Sequence, residues 1–245
     1  MTYGMLDHLL VALLALVAPL VGVWDHRRVT ARLAAGDAGV RTRTYRTAIR
    51  DLLVGGTVVL GLWVVSGRPL ERLMGLEWLP TGWWTGVAWA VVLLACVLLV
   101  AQVTAVWGNE AGLSSVRKQM GTVEGLLPHT PVELKLFLAL SLAAGVCEEI
   151  VYRGYLLTYF DGLVGPAGAV LASTFMFGLG HAYQGAGGIV RTGIMGLLLA
   201  GAYVATGNLV APVLLHIVTD ATSGMLAYLA LRPVTAVGGA PGVTN

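Results

Sequence analysis

Three segments in the second half of the chain place ionisable side chains inside apolar runs; they are residues 147–153, 177–181 and 216–220. A charge at membrane depth costs several kcal/mol, so such groups are candidates for a functional site by default. Glu149 and Arg153 are four residues apart and share one face of a helix, which predicts an ion pair between them. Glu148 points about 100° away and has no such partner. The segment thus offers one structural carboxylate and one free carboxylate.

The other two segments each add an imidazole. Phe177 and His181 are four residues apart, so the two rings are predicted to pack together. His216 and Asp220 also share a face, and this spacing lets one helix offer two groups to one ion or one water molecule. Together with Glu148, the residues His181, His216 and Asp220 form the predicted catalytic set.

Two kinds of chemistry fit this set. A carboxylate and two neutral imidazoles suit Zn²⁺ or another divalent metal, which would lower the pKa of a bound water and polarise a carbonyl group. Without a metal, Glu148 and His181 would activate water directly, while His216 and Asp220 bind an oxyanion. The second route needs a protonated Asp220, because an ionised carboxylate only accepts hydrogen bonds. Both routes stay open at this point.

The composition indicates that these residues lie in a membrane protein. Of the 245 residues, 57% are hydrophobic and 11% are charged, whereas a soluble domain averages about 25% charged residues. A membrane-spanning helix needs about 20 mostly apolar residues. The predicted fold is an all-α, polytopic transmembrane helix bundle of about seven spans. The predicted spans are residues 6–24, 48–65, 84–106, 132–160, 166–183, 189–205 and 209–231.

The basic residues predict an orientation, because arginine and lysine collect on the cytoplasmic side. The first loop holds seven arginines: Arg27, Arg28, Arg32, Arg41, Arg43, Arg46 and Arg50. The second loop holds Arg68 and Arg72, which are offset by Glu71 and Glu77. The N-terminus is therefore expected outside and the C-terminus in the cytoplasm, in a bacterial cell membrane.

The polar groups divide the chain into three predicted regions. Residues 1–130 hold apolar spans and the arginine-rich loop, and the first three spans are expected to be ordinary apolar helices. Residues 131–232 carry the catalytic set. Residues 233–245 are rich in Gly, Val and Ala and are expected to be disordered.

The three motifs resemble those of the CAAX-protease and bacteriocin-processing (CPBP, or ABI) family of intramembrane proteases, over roughly residues 130 to 231. The motifs are Glu148-Glu149-x-x-x-Arg153, Phe177-x-x-x-His181 and His216-x-x-x-Asp220. The resemblance implies an all-helical membrane fold, an intramembrane cavity and hydrolysis of peptide bonds.

The family's residue roles carry over to matching positions in this sequence. The resemblance implies that Glu148 activates water together with His181, and that His216 and Asp220 stabilise the oxyanion or help to hold a metal. Other motif positions would shape the site; they are Glu149, Arg153 and Phe177. The last motif often ends in Asn in prenyl-protein proteases. Asp220 stands there instead, which favours metal ligation or a bond to His216.

The sequence therefore predicts a metal-dependent intramembrane endopeptidase. Its expected partners are membrane lipid and a membrane-associated or CAAX-like protein or peptide substrate, with no nucleic acid. One alternative is a non-catalytic scaffold or peptide-binding immunity protein of the same fold. Another is a small proton-coupled transporter, although such proteins often show repeated halves and the sequence has no such symmetry.

Overall fold

A computed structural model describes residues 3–75 and 82–232, apart from the side chain of Thr122. Within these ranges the secondary structure is helical, with one isolated antiparallel bridge between Gly75 and Asn208. The predicted all-α fold is confirmed. The helices are α1 (Met5–Ala34), α2 (Val40–Val65), α3 (Leu70–Met74), α4 (Trp83–Val106), α5 (Glu110–Met120), α6 (Pro131–Glu149), α7 (Leu157–Gly180), α8 (Ala186–Thr206) and α9 (Val210–Leu231). Glu77 and the predicted tail 233–245 lie outside the described residues.

Five of these helices are long and apolar enough to cross a membrane: α1, α2, α4, α8 and α9. A multi-pass membrane protein is thereby confirmed. The other two predicted spans, residues 132–160 and 166–183, fall on α6 and α7. Glu148 and Glu149 lie at the end of α6.

Helices α6 and α7 are joined by a π-helical segment, Ile150–Leu156, so that the chain runs from Pro131 to residue 164 with no loop. The sequence placed a boundary near residues 160–166, and the backbone breaks at Gly165, where φ is 73°. Glycine adopts positive φ without steric cost, and the following Pro166 has no N–H to continue the helix. The fourth predicted span therefore extends past its predicted end at Phe160.

Contacts between the connecting segments divide the bundle into two ends. At one end, the Leu209 N–H donates to the Met74 carbonyl at 2.8 Å, which joins the end of α3 to the α8–α9 connection. At the other end, Arg41 Nε donates to the Gly125 carbonyl at 2.8 Å, which joins α2 to the segment before α6. These contacts are those expected when successive long helices run in opposite directions between the two ends.

The first span is not an ordinary apolar helix. Asp7 on α1 is 2% exposed and accepts two hydrogen bonds from Arg68, at 2.8 and 2.6 Å, and a third from Tyr155 Oη at 2.8 Å. Hydrogen bonding to Asp7 raises the pKa of Arg68. Arg68 lies in the α2–α3 connection, as predicted, but it pairs with Asp7 and so ties that connection to α1, while the Tyr155 hydrogen bond ties α1 to the π-helical segment.

Replacing Asp7 with Asn removes the carboxylate charge that faces Arg68 in a buried setting. Breaking a buried ion pair in this way typically costs about 3 kcal/mol or more, and we expect a loss of that size in the free energy of unfolding. Thermal unfolding of the purified protein in detergent measures it. Asp37→Asn is the control, because its 2.6 Å pair with Arg43 is 39% and 55% exposed and should contribute less than about 1 kcal/mol. Equal losses in the two variants would contradict the account.

Candidate active site

The predicted ion pair lies at the centre of the candidate site. Arg153 Nη1 is 2.8 Å from Glu149 Oε1, and neither side chain is exposed. Arg153 Nη2 donates to the Gly196 carbonyl on α8 at 2.8 Å, and His216 Nδ1 on α9 lies 2.8 Å from the same Glu149 oxygen. A carboxylate only accepts hydrogen bonds, so His216 Nδ1 carries a proton. These four residues, called the Glu149 network below, join α6, the π-helical segment, α8 and α9.

Phe177 on α7 packs against this network. Its ring centroid lies 4.4 Å from the guanidinium carbon of Arg153, within cation–π distance. The same ring lies 4.9 Å from the His181 ring, centroid to centroid, and 5.9 Å from the His216 ring. Phe177 is 2% exposed. Its predicted packing on His181 is present, and it also joins His181 to the network.

Glu148 lies beside the network but does not take part in it. The residue is half-buried, and its Oε2 is buried with no hydrogen-bond partner among the described residues. Its charge nevertheless acts on His216. A buried polar atom without a partner is uncommon in native proteins and calls for an explanation such as a ligand, a water molecule or catalysis. Glu149 Oε2 is also buried without a partner among these residues, but Glu149 Oε1 is bonded to Arg153 and His216. Glu148 makes no hydrogen bond in the part of the chain that the structure describes, and this is the contrast expected between the two adjacent glutamates.

One ring nitrogen of His181, Nε2, has no hydrogen-bond partner in the part of the chain that the structure describes. Its Nδ1 lies 2.9 Å from the Phe177 carbonyl oxygen. A carbonyl only accepts, so Nδ1 carries the proton and the neutral ring keeps a lone pair on Nε2. His181 ends α7 and is half-buried. It can therefore hold or accept a proton through Nε2.

The packing of α7 on the preceding helix brings His181 toward the depth of Glu148. Ser173 Oγ donates to the Tyr152 carbonyl at 2.7 Å, and the Phe177 and Tyr152 rings pack at 5.1 Å. Because the two segments run in opposite directions, later residues of α7 meet earlier residues of α6. The segment from Pro166 to Gly180 also rises only about 22 Å, less than the roughly 30 Å hydrocarbon core. A helix of that length does not span the full hydrocarbon core.

Asp220 lies at the more open edge of the site. Its Oδ2 is 3.6 Å from His216 Nε2, and its side chain is 39% exposed. The two ring nitrogens of His216 therefore face two different carboxylates, from Glu149 and Asp220. This is the interaction with His216 that the aspartate was predicted to favour.

The donor set does not converge on one point as a metal site requires. Among the residues that the structure describes, no group of three or more His, Cys, Asp or Glu side chains is placed to hold an ion. One nitrogen of His216 is already engaged by Glu149 at 2.8 Å. Binding of Zn²⁺ or another divalent metal by Glu148, His181, His216 and Asp220 stays a prediction.

Two features of the site were not predicted. The first is the π-helical geometry of Ile150–Leu156, and such segments occur often at functional sites. The second is the close approach of helices at glycines. A Cβ added to Gly145 would lie 2.4 Å from Ile217 Cγ1, beside His216. Small residues let membrane helices approach closely. The glycines between residues 145 and 201 could therefore have indicated this packing from the sequence.

Gly178 tests whether this close packing supports the site. A Cβ there would lie 2.9 Å from the Ile189 carbonyl oxygen and 3.3 Å from Gly193 Cα, so the backbones of α7 and α8 must move apart. Overpacking costs about 1–3 kcal/mol, and we expect Gly178→Ala to lower the thermal unfolding temperature. Gly201→Ala is the matched control, because nothing lies within 4 Å of its added Cβ. Identical unfolding temperatures for both variants would contradict the expectation.

Comparison with known proteins relates part of the chain to a protein family. No curated protein and no solved structure matches the chain. Residues 130–222 match a family model described as type II CAAX prenyl endopeptidase Rce1-like. The matched range contains all three motifs. The resemblance drawn from those motifs is thereby confirmed, and over residues 130–222 the chain is similar to the Rce1-like family.

Proposed function

We propose that the chain is an intramembrane endopeptidase that hydrolyses peptide bonds of a membrane-associated, CAAX-like protein or peptide. The observation that carries this proposal is that Glu148, whose Oε2 is buried, makes no hydrogen bond among the described residues, whereas Glu149 Oε1 is engaged by both Arg153 and His216. Glu148 lies next to the Glu149 network, where the neighbouring carboxylate is engaged. Two adjacent carboxylates in different environments are suited to different tasks. The description of the family that matches residues 130–222 supports the substrate class.

Glu148 acts as the general base in the proposed reaction. It takes a proton from a water molecule held with His181 Nε2, and the water oxygen forms a bond to the scissile carbonyl carbon. The carbonyl π electrons move to the oxygen and give a tetrahedral oxyanion. As the C–N bond breaks, protonated Glu148 returns its proton to the leaving nitrogen. A positioned acid–base group of this kind contributes about 10²–10⁴-fold in rate.

The Glu149 network positions His216 for the second half of the site. Glu149 fixes Nδ1 of His216 at 2.8 Å, and Arg153 holds Glu149 at 2.8 Å. A carboxylate that orients an imidazole in this way sets which ring nitrogen faces the substrate. Nε2 of His216 then faces Asp220, 3.6 Å away. In this proposal Glu149, Arg153 and Phe177 are positioning residues.

The arginine-rich first loop supports an orientation with the N-terminus outside and the C-terminus in the cytoplasm. Arg41 contacts the segment that joins α5 to α6, and α5 carries Arg117 and Lys118 in its last turn, so these basic residues lie at one end of the bundle. Because positive residues favour the cytoplasmic side, we place that end in the cytoplasm of a bacterial cell. His181 follows α7 at the same end, on the turn that packs against the second half of α1.

A cleavage assay on the full-length protein tests the proposal. The probe is an internally quenched peptide ending in an S-farnesylated Cys-aliphatic-aliphatic-X sequence, with the unprenylated peptide alongside. We expect Glu148→Gln and His181→Ala each to lower the cleavage rate at least about 10²-fold, since each removes a group that handles the water proton. Glu110→Gln is the control, because Glu110 is 74% exposed at its side chain.

Full activity in folded Glu148→Gln would overturn the mechanism. Binding of the peptide without cleavage by the wild-type protein would favour the non-catalytic alternative. Metal analysis and chelator treatment of the same samples separate the two routes. Activation by Glu148 and His181 needs no ion, so we expect cleavage to survive chelation. Loss of activity with zinc removal, and recovery on zinc addition, would assign an ion to the predicted four-residue set.

A further inference from the structure

Tyr183 lies on the short 3₁₀ turn Ala182–Gln184 that follows His181, and none of the three motifs includes it. Its ring centroid is 5.9 Å from that of His181. Helix α1 covers its other side: the His26 ring lies at 5.7 Å, and a Cβ added to Gly22 would lie 3.8 Å from Tyr183 Cδ1. The phenol is thus held between α1 and the end of α7, next to a predicted catalytic residue.

The hydroxyl group of Tyr183 has a spare proton. Gln184 Nε2 donates to Tyr183 Oη at 3.2 Å, which uses one acceptor position of the oxygen. In the part of the chain that the structure describes, no acceptor is paired with the hydroxyl proton. The charges of Glu148 and Asp220 both act on this phenol, which places it within electrostatic range of the two carboxylates. The phenol ring also lies 5.9 Å from the His181 ring, centroid to centroid, so it is next to one member of the predicted catalytic set.

The four residues of the predicted catalytic set, with His216 neutral, offer no unused hydrogen-bond donor. Glu148 and ionised Asp220 only accept hydrogen bonds. The Nδ1–H group of His216 is used by Glu149, and the Nδ1–H group of His181 is used by the Phe177 carbonyl. A tetrahedral oxyanion is stabilised by donors aimed at the oxygen where charge develops. A phenol, with an ordinary pKa near 10, supplies such a donor over the whole physiological pH range.

We propose that Tyr183 is a further catalytic residue, whose O–H donates a hydrogen bond to the oxyanion formed on the substrate carbonyl. The inference rests on the proposed endopeptidase function. When the water oxygen bonds to the carbonyl carbon, the π electron pair moves to the carbonyl oxygen, and the water proton goes to Glu148. Tyr183 donates its hydrogen bond to that oxygen and keeps its proton. When the C–N bond breaks, the electron pair returns to re-form the carbonyl, and the nitrogen takes the proton from Glu148.

Helix α1 packs against Tyr183 and helps to hold its ring in place. His26 Nδ1 is buried without a hydrogen-bond partner among the described residues, and the His26 ring packs on Tyr183 instead of bonding to it. The turn ends at Gly185, where φ is 78° and an L side chain would be strained. Packing from α1 on one side and this fixed turn on the other hold the phenol in one orientation. Its hydrogen bond then needs little reorganisation during the reaction.

Tyr183→Phe tests the inference, because it removes only the hydroxyl. We expect kcat for the farnesylated peptide to fall about 10²-fold, the usual loss for one oxyanion donor, and KM to change less than about twofold. Tyr203→Phe is the control. It removes a hydroxyl from a fully buried tyrosine whose partner is the Leu73 carbonyl, at the opposite end of the bundle, and it should keep the wild-type kcat.

Inhibitor binding gives a readout that a purely structural role would not change. A peptide phosphinate carries a tetrahedral anion, whereas the matching reduced-amide peptide carries none. Tyr183→Phe should weaken the phosphinate about 10²-fold and leave the reduced amide unchanged. Equal affinities for both inhibitors in wild type and Tyr183→Phe, with unchanged kcat while Glu148→Gln is inactive, would overturn the role of Tyr183 alone. A wild-type protein that cleaves neither peptide would overturn the proposed function and this inference together.

Discussion

The arrangement of the site depends on one buried cation. Arg153 has no exposed surface, and a guanidinium at membrane depth is costly unless charge and hydrogen bonds offset it. Glu149 supplies the countercharge, Gly196 a carbonyl and Phe177 the face of a ring. These three contacts come from α6, α8 and α7. Pairing one buried arginine, which leaves only its Nε without a partner among the described residues, therefore fixes the relative positions of these helices.

The same interaction separates the roles of two neighbouring glutamates. Glu149 points at Arg153 and His216 and is engaged with both. Glu148, one residue earlier, makes no hydrogen bond among the described residues, whereas Glu149 leaves only its Oε2 without a partner. The network thus uses one carboxylate for structure and leaves the next one for chemistry. The network also fixes the orientation of the His216 ring through the contact of its Nδ1 with Glu149.

Local spacing made much of this predictable. The Glu149–Arg153 pair, the Phe177–His181 packing and the all-helical membrane fold follow from the period of the helix and from hydropathy. Long-range partners did not follow. Asp7 meets Arg68 across 61 residues and Tyr155 across 148, and no periodicity relates such positions. Tyr183 was missed because it lies in a turn outside the motifs, where its relation to Glu148 and His26 depends on how α1 packs.

In the proposed reaction, Glu148 activates water and does not itself attack the substrate. A single turnover in H₂¹⁸O, with protein in excess over farnesylated peptide, tests this step by mass spectrometry of both product and protein. Water activation predicts that the new C-terminal carboxylate carries one ¹⁸O in the first turnover and that Glu148 carries none. An unlabelled first-turnover product, with ¹⁸O in the Glu148 carboxylate, would contradict the account.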